Sequence, residues 1–150
     1  RLDRRRSWEL FLQAMRSDIA DIQGGTTHEG IHLGAMAGTV DLIQRCYGGV
    51  EARGGVLWLD PALPDGLPTL RFLLHYRGHR VDIVIARDRL QVMVLPALAP
   101  PIQVGCGREV VELGGGASKE WTLPTRREPA GPGARPVEPP KGVAWGRIRT

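Results

Sequence analysis

At 150 residues the chain has room for one domain with a real core, but it is small for a complete multi-step enzyme. Its formal charge of +4 belongs to the end of the chain: from Pro124 onward six basic residues stand against two acidic ones, whereas residues 1–123 balance 14 basic against 14 acidic side chains. The folded part therefore offers no nucleic-acid footprint, and no signal peptide or apolar run of membrane-spanning length is present.

The opening Arg1-Leu2-Asp3-Arg4-Arg5-Arg6 lacks a methionine and reads as the solvated end of a preceding connection, so that the chain is expected to be a fragment. Ser7 is a good N-cap. Trp8, Phe11, Leu12, Met15, Ile19 and Ile22 follow at helical spacing, which predicts a first helix from about Trp8 to Ile22. A second helix is expected from about Glu29 to Tyr47, where Ile31, Leu33, Met36, Val40 and Ile43 alternate with Gly34, Ala35, Ala37 and Gly38. Each interior glycine costs about 1 kcal/mol relative to alanine, so two of them imply close approach by neighbours and a buried helix.

Between these helices lies Gln23-Gly24-Gly25-Thr26-Thr27-His28-Glu29-Gly30-Ile31-His32. Two glycines allow a tight turn, and two threonines supply hydroxyls at the start of the next helix. Unpaired N–H groups at a helix start, beside hydroxyls and an imidazole, form a cradle for an anion such as phosphate. The same stretch matches the HExxH spacing of zinc sites through His28, Glu29 and His32, with Glu51 as a conceivable third ligand. That reading is disfavoured, because Gly24, Gly25 and Gly30 surround the first histidine and the longer motif fails at Ala35 and Gly38. No metal is expected.

After Gly48, Gly49, Gly54 and Gly55 the period changes from helical to alternating. Val56 to Leu59, Leu70 to Tyr76, Arg80 to Ala86, Arg89 to Leu95, Ile102 to Cys106, Glu109 to Leu113 and Ser118 to Leu123 are expected as about seven short strands, with turns at Arg77-Gly78 and Arg87-Asp88. Such spacing favours a small antiparallel β-sandwich. Cys46 and Cys106 lie in unlike contexts and read as reduced thiols of a cytoplasmic protein. From Pro124 the prolines prevent a regular core, so residues 124–150 read as a disordered basic tail in which Trp145 is incidental. The fold class is thus α+β, with 1–50 helical, 51–123 a sandwich and 124–150 a tail.

The run from Asp21 to Thr27, then Glu29 to Thr39, closely resembles the end of the catalytic barrel in glycoside hydrolase family 65, which includes the trehalose, maltose and kojibiose phosphorylases. The likeness continues through Leu57-Trp58-Leu59-Asp60-Pro61-Ala62-Leu63-Pro64, Leu70-Arg71-Phe72 and Tyr76-Arg77-Gly78 and covers roughly residues 7–123. The resemblance implies that the two helices are the closing hairpin of an (α/α) barrel and that the sandwich is an appended C-terminal domain. It implies a phosphorylase or hydrolase cleaving an α-glucosidic disaccharide, with the Thr-Thr and His pattern favouring inverting attack of phosphate to give β-glucose 1-phosphate, inorganic phosphate as co-substrate and no cofactor. Gly25, Thr26, Thr27 and His32 are the implied phosphate contacts, and His28 is a weaker candidate. The general acid would lie upstream, so this fragment alone is expected to be inactive, and Glu29 is read as a helix cap. Family members often form homodimers. The competing expectation is a non-catalytic carbohydrate-associated or structural β-sandwich module.

Overall fold

The computed structural model describes residues 4–16, 30 and 32–124. Helix α1 spans Arg4–Arg16 and α2 spans Leu33–Leu42. A π-helical turn, Ile43–Tyr47, continues α2 directly and closes with the Gly48 N–H on the Ile43 carbonyl at 2.9 Å. Eight strands follow: β1 Val50–Arg53, β2 Val56–Leu59, β3 Thr69–Tyr76, β4 His79–Ala86, β5 Arg89–Val94, β6 Ile102–Cys106, β7 Glu109–Leu113 and β8 Ser118–Thr122.

The strands form two four-stranded sheets, ordered β1-β2-β6-β7 and β3-β4-β5-β8. Their inner faces supply the core. Along β4 the alternation is strict, and Val81, Ile83 and Ile85 are completely buried between Leu70, Phe72 and Leu74 of β3 and Leu90, Val92 and Val94 of β5. Leu57, Leu59, Ile102, Val104 and Leu113 meet them from the other sheet. Each such Val, Leu or Ile contributes roughly 1.5–3 kcal/mol when buried, so this layer dominates the stability of the sandwich. Asp82, between two buried residues of β4, faces outward and accepts a two-pronged hydrogen bond from Arg71 at 2.7 and 3.1 Å. The β3–β4 hairpin turns at Arg77 and Gly78, both at positive φ, as a two-residue turn matched to strand twist requires.

Several expectations are corrected. Ser7 is not a cap: α1 begins at Arg4, which places Ser7 inside the helix with its hydroxyl 3.4 Å from the Tyr47 hydroxyl. The expected extension of α1 to Ile22 lies outside the described residues. Helix α2 starts at Leu33 rather than near Glu29, because Gly30 takes φ +103, a left-handed conformation that cannot lie within a right-handed helix. An eighth strand, β1, was not expected. It is an edge strand whose residues are half-buried at best, so it carries no apolar alternation to read. The sandwich is not wholly antiparallel, since β2 and β6 pair in parallel where the chain returns to the first sheet. The neighbours expected around α2 are not supplied by the described residues. Leu33, Val40 and Leu42 are 79%, 57% and 45% exposed, and nothing among the described residues comes within 4 Å of a Cβ placed at Gly34 or Gly38. The tail from 125 on lies outside the described residues.

Candidate anion site on α2 and the joint beneath it

Of the four candidate phosphate contacts, only His32 is described; Gly25, Thr26 and Thr27, together with His28 and Glu29, lie outside the described residues. His32 directly precedes α2 with a non-helical backbone (φ −78, ψ 88). Its carbonyl already accepts the Met36 N–H at 3.1 Å, while its exposed side chain makes no cap hydrogen bond. The N–H groups of the first turn, at Leu33, Gly34 and Ala35, have no carbonyl partner inside the helix. No acidic residue occupies that turn to compete for them. The start of α2 thus presents the positive end of the helix dipole.

The position of Gly30 also bears on the histidine pair. The two histidines of an HExxH site share one helical face; Gly30, between them in sequence, takes φ +103, and His28 lies outside the described residues. Glu51, the conceivable third ligand, lies on β1 with its carboxylate 3.5 Å from Arg53. Among the described residues no group of three or more His, Cys, Asp or Glu side chains is arranged to hold a metal ion.

The far end of α2 is tightly fixed. The π turn adds one residue to the helical circuit and brings Tyr47 inward, where it is 6% exposed. Trp8 and Phe11 of α1 close around it, stacked on each other at 5.4 Å and meeting the Tyr47 ring edge-on at 5.4 and 5.6 Å. Trp8 also lies against Gly66 in the connection to β3, where a Cβ would fall 2.6 Å from the indole nitrogen. Two backbone hydrogen bonds lock the exit of the helix: Ala62 N–H to the Tyr47 carbonyl at 2.9 Å, and Asp60 N–H to the Gly49 carbonyl at 3.1 Å. Thus α2 is anchored on the sandwich at its C-terminal end and carries His32 at the other. The aromatic residues of this joint stood at helical spacing in the sequence, but the role of Gly49 and Gly66 as contact points depends on which segments meet and had no local signal.

Beside the joint, Asp41, Gln44, Arg45, Glu51, His75 and Tyr76 line a polar cleft between the end of α2, β1 and β3. Asp41 and Arg45 pair at 2.8 Å across one helical turn. The Tyr76 hydroxyl donates to the Gly55 carbonyl at 3.1 Å. Both cysteines are free thiols; burial pushes the Cys106 thiol up from its ordinary value, aided by Asp60 and Glu109. No helix among the described residues is long and apolar enough to cross a membrane.

The described residues form a helical pair joined to a two-layer sandwich of eight strands. Residues 50–113 match the model of the C-terminal domain of glycosyl hydrolase family 65. Residues 50–113 are thus a C-terminal domain of that family. An uncharacterised glycosyl hydrolase of Mycobacterium tuberculosis is 46% identical over 75% of this chain, which spans 8% of that relative. The trehalose 6-phosphate phosphorylase of Lactococcus lactis is 39% identical over 55% of the chain and 11% of its own length. In fold, the chain superposes on a solved structure from the human microbiome named for kojibiose phosphorylase, with TM-score 0.67 and 20% identity over 77% of this chain and 15% of that one. The chain therefore spans only a small part of the relatives it matches.

Proposed function

We propose that the chain is the C-terminal part of a cytoplasmic, dimeric glycoside phosphorylase acting on an α-glucosidic disaccharide of the trehalose, maltose or kojibiose type. In this reading α1 and α2 close an (α/α) barrel, and the exposed Leu33, Val40 and Leu42 are surface that barrel helices cover. Phosphate sits against the start of α2, held by Gly25, Thr26, Thr27 and His32. One of its oxygens attacks the anomeric carbon from the face opposite the glycosidic oxygen. The C–O bond breaks, a general acid upstream of this chain gives its proton to the departing oxygen, and the product is β-glucose 1-phosphate. The phosphate replaces the general base of an inverting hydrolase, so a single catalytic carboxylate suffices. Residues 1–150 alone would then be inactive.

The observation that carries this reading is the exposed His32 imidazole beside the uncapped first turn of α2, in a chain related to a protein named a trehalose 6-phosphate phosphorylase. A hydrogen bond to a charged group contributes about 1.5–3 kcal/mol, so His32→Ala in the full-length enzyme is expected to weaken phosphate binding roughly 10- to 150-fold. The disaccharide KM should change far less. An unchanged phosphate dependence would remove His32 from the site.

A further inference from the structure

The outer face of the β1-β2-β6-β7 sheet carries a feature that phosphorolysis does not use. Trp58 projects from it, with Glu51 directly opposite on β1 and Gly105 directly opposite on β6. A Cβ placed at Gly105 would lie 2.5, 2.6 and 3.0 Å from the contiguous indole atoms Cε3, Cζ3 and Cδ2. Only a point above the ring, not one beyond its edge, is that near to all three. The indole therefore lies flat across the glycine, one face against the sheet and the other turned outward. Val110, 41% exposed and opposite Gly105 on β7, extends the apolar surface.

The Arg53 guanidinium stands over the outward face of the Trp58 ring, 5.6 Å from its centre, on an exposed side chain that pairs with Glu51 at 3.5 Å. Asp60, Gly49 and Gly107 complete the same recess. Among the described residues neither the Trp58 indole N–H nor the Asp60 carboxylate has a hydrogen-bond partner. Two carboxylates against one guanidinium repel an anion, so phosphate is not the ligand here. A flat apolar plate ringed by donors and acceptors matches a neutral ring that shows C–H groups on its face and hydroxyls around its edge.

We propose that Trp58, Glu51, Arg53 and Asp60 form a binding site for one neutral pyranose unit of an oligosaccharide, separate from the phosphate-binding end of α2. The pyranose C–H face takes the place of the exposed Arg53 guanidinium over the outward indole face, the carboxylates of Asp60 and Glu51 accept hydrogen bonds from hydroxyls, and the displaced Arg53 and the indole N–H donate to hydroxyl oxygens. The glycoside reading enters only through the choice of an α-glucose oligomer as probe.

The test measures binding of maltoheptaose to the full-length protein by calorimetry without phosphate, beside phosphorolysis of the disaccharide substrate as a readout of the catalytic site. Trp58→Ala is expected to weaken maltoheptaose binding more than tenfold while leaving the disaccharide KM unchanged, and Trp58→Phe should recover part of it. Asp60→Ala, at an exposed position, gives the same reading should Trp58→Ala not fold. Absence of saturable binding by the wild-type protein, binding that survives both substitutions, or a parallel loss of disaccharide KM would each overturn the proposal. A protein that binds maltoheptaose through Trp58 yet performs no phosphorolysis would keep this site and reject the phosphorylase reading.

Discussion

Gly49 and Asp60 touch backbone to backbone: the Gly49 carbonyl accepts the Asp60 N–H at 3.1 Å, and a Cβ on Gly49 would fall 2.1 Å from the Asp60 carbonyl oxygen. Gly49 also sits at φ +65. This contact is where the helical part of the chain is fastened to the sandwich. A left-handed backbone costs a non-glycine residue about 1–2 kcal/mol, and the overlap adds to it, so Gly49→Ala is expected to destabilise by about 3 kcal/mol or more. Urea denaturation checks this; a loss below about 1 kcal/mol would mean that the joint yields easily.

The aromatic cluster separates packing from hydrogen bonding. Tyr47→Ala removes a buried ring held between Trp8 and Phe11 and should cost about 3–5 kcal/mol, as large-to-small aromatic substitutions do. Tyr47→Phe gives up only the 3.4 Å contact with the Ser7 hydroxyl. Its cost should stay within about 1 kcal/mol. Equal losses in the two variants would assign the stabilisation to the hydroxyl instead.

The two thiols should differ in reactivity. Cys46 is exposed, whereas the Cys106 thiol is raised first by burial and then by Asp60 and Glu109. Iodoacetamide under mildly alkaline native conditions is expected to modify Cys46 first, as mass spectrometry of the digested protein would show. Because the folded pKa lies above the unfolded one, the contribution of Cys106 to stability is complete below the ordinary thiol value and is lost as pH rises through the folded value. Cys106→Ala should flatten that alkaline limb, and an unaltered limb would contradict the assignment.

Glu109 and Lys119 link the two sheets at 2.7 Å. The hydrogen bond from Lys119 leads the causes that hold the Glu109 carboxyl below its usual range. A depressed carboxylate stabilises the fold above its unfolded pKa, and this contribution disappears as pH falls through the folded value. Lys119→Met should therefore reduce the acid sensitivity of unfolding at low salt. Raising the ionic strength should shrink the difference, since both groups meet solvent. Identical acid limbs in the two proteins would show that the pair is idle.

Strands were most legible where alternation and glycine punctuation coincide. Val56–Leu59, Ile102–Cys106 and Glu109–Leu113 agree with their sequence reading to the residue, because each ends at a turn that side-chain pattern announces. Edge strand β1 was illegible, since Glu51, Ala52 and Arg53 bury nothing. The π turn at Ile43–Tyr47 leaves no composition mark; one extra residue in a helical circuit becomes visible only when Tyr47 meets Trp8 and Phe11. The parallel pairing of β2 with β6 rests on contacts between distant segments that no local pattern encodes. At the candidate site, the motif singled out His32, and the structure shows that residue directly before α2. The plate of Trp58 was not legible, since it depends on Gly105 arriving beside it from a strand more than forty residues later.

The most direct measurement is release of glucose 1-phosphate by the complete gene product from trehalose, trehalose 6-phosphate, maltose and kojibiose, with and without inorganic phosphate and in the presence of a chelator. Phosphate-dependent, chelator-resistant release from one of them is the predicted result. Free glucose formed at the same rate without phosphate would contradict phosphorolysis and leave the start of α2 without an anion to hold.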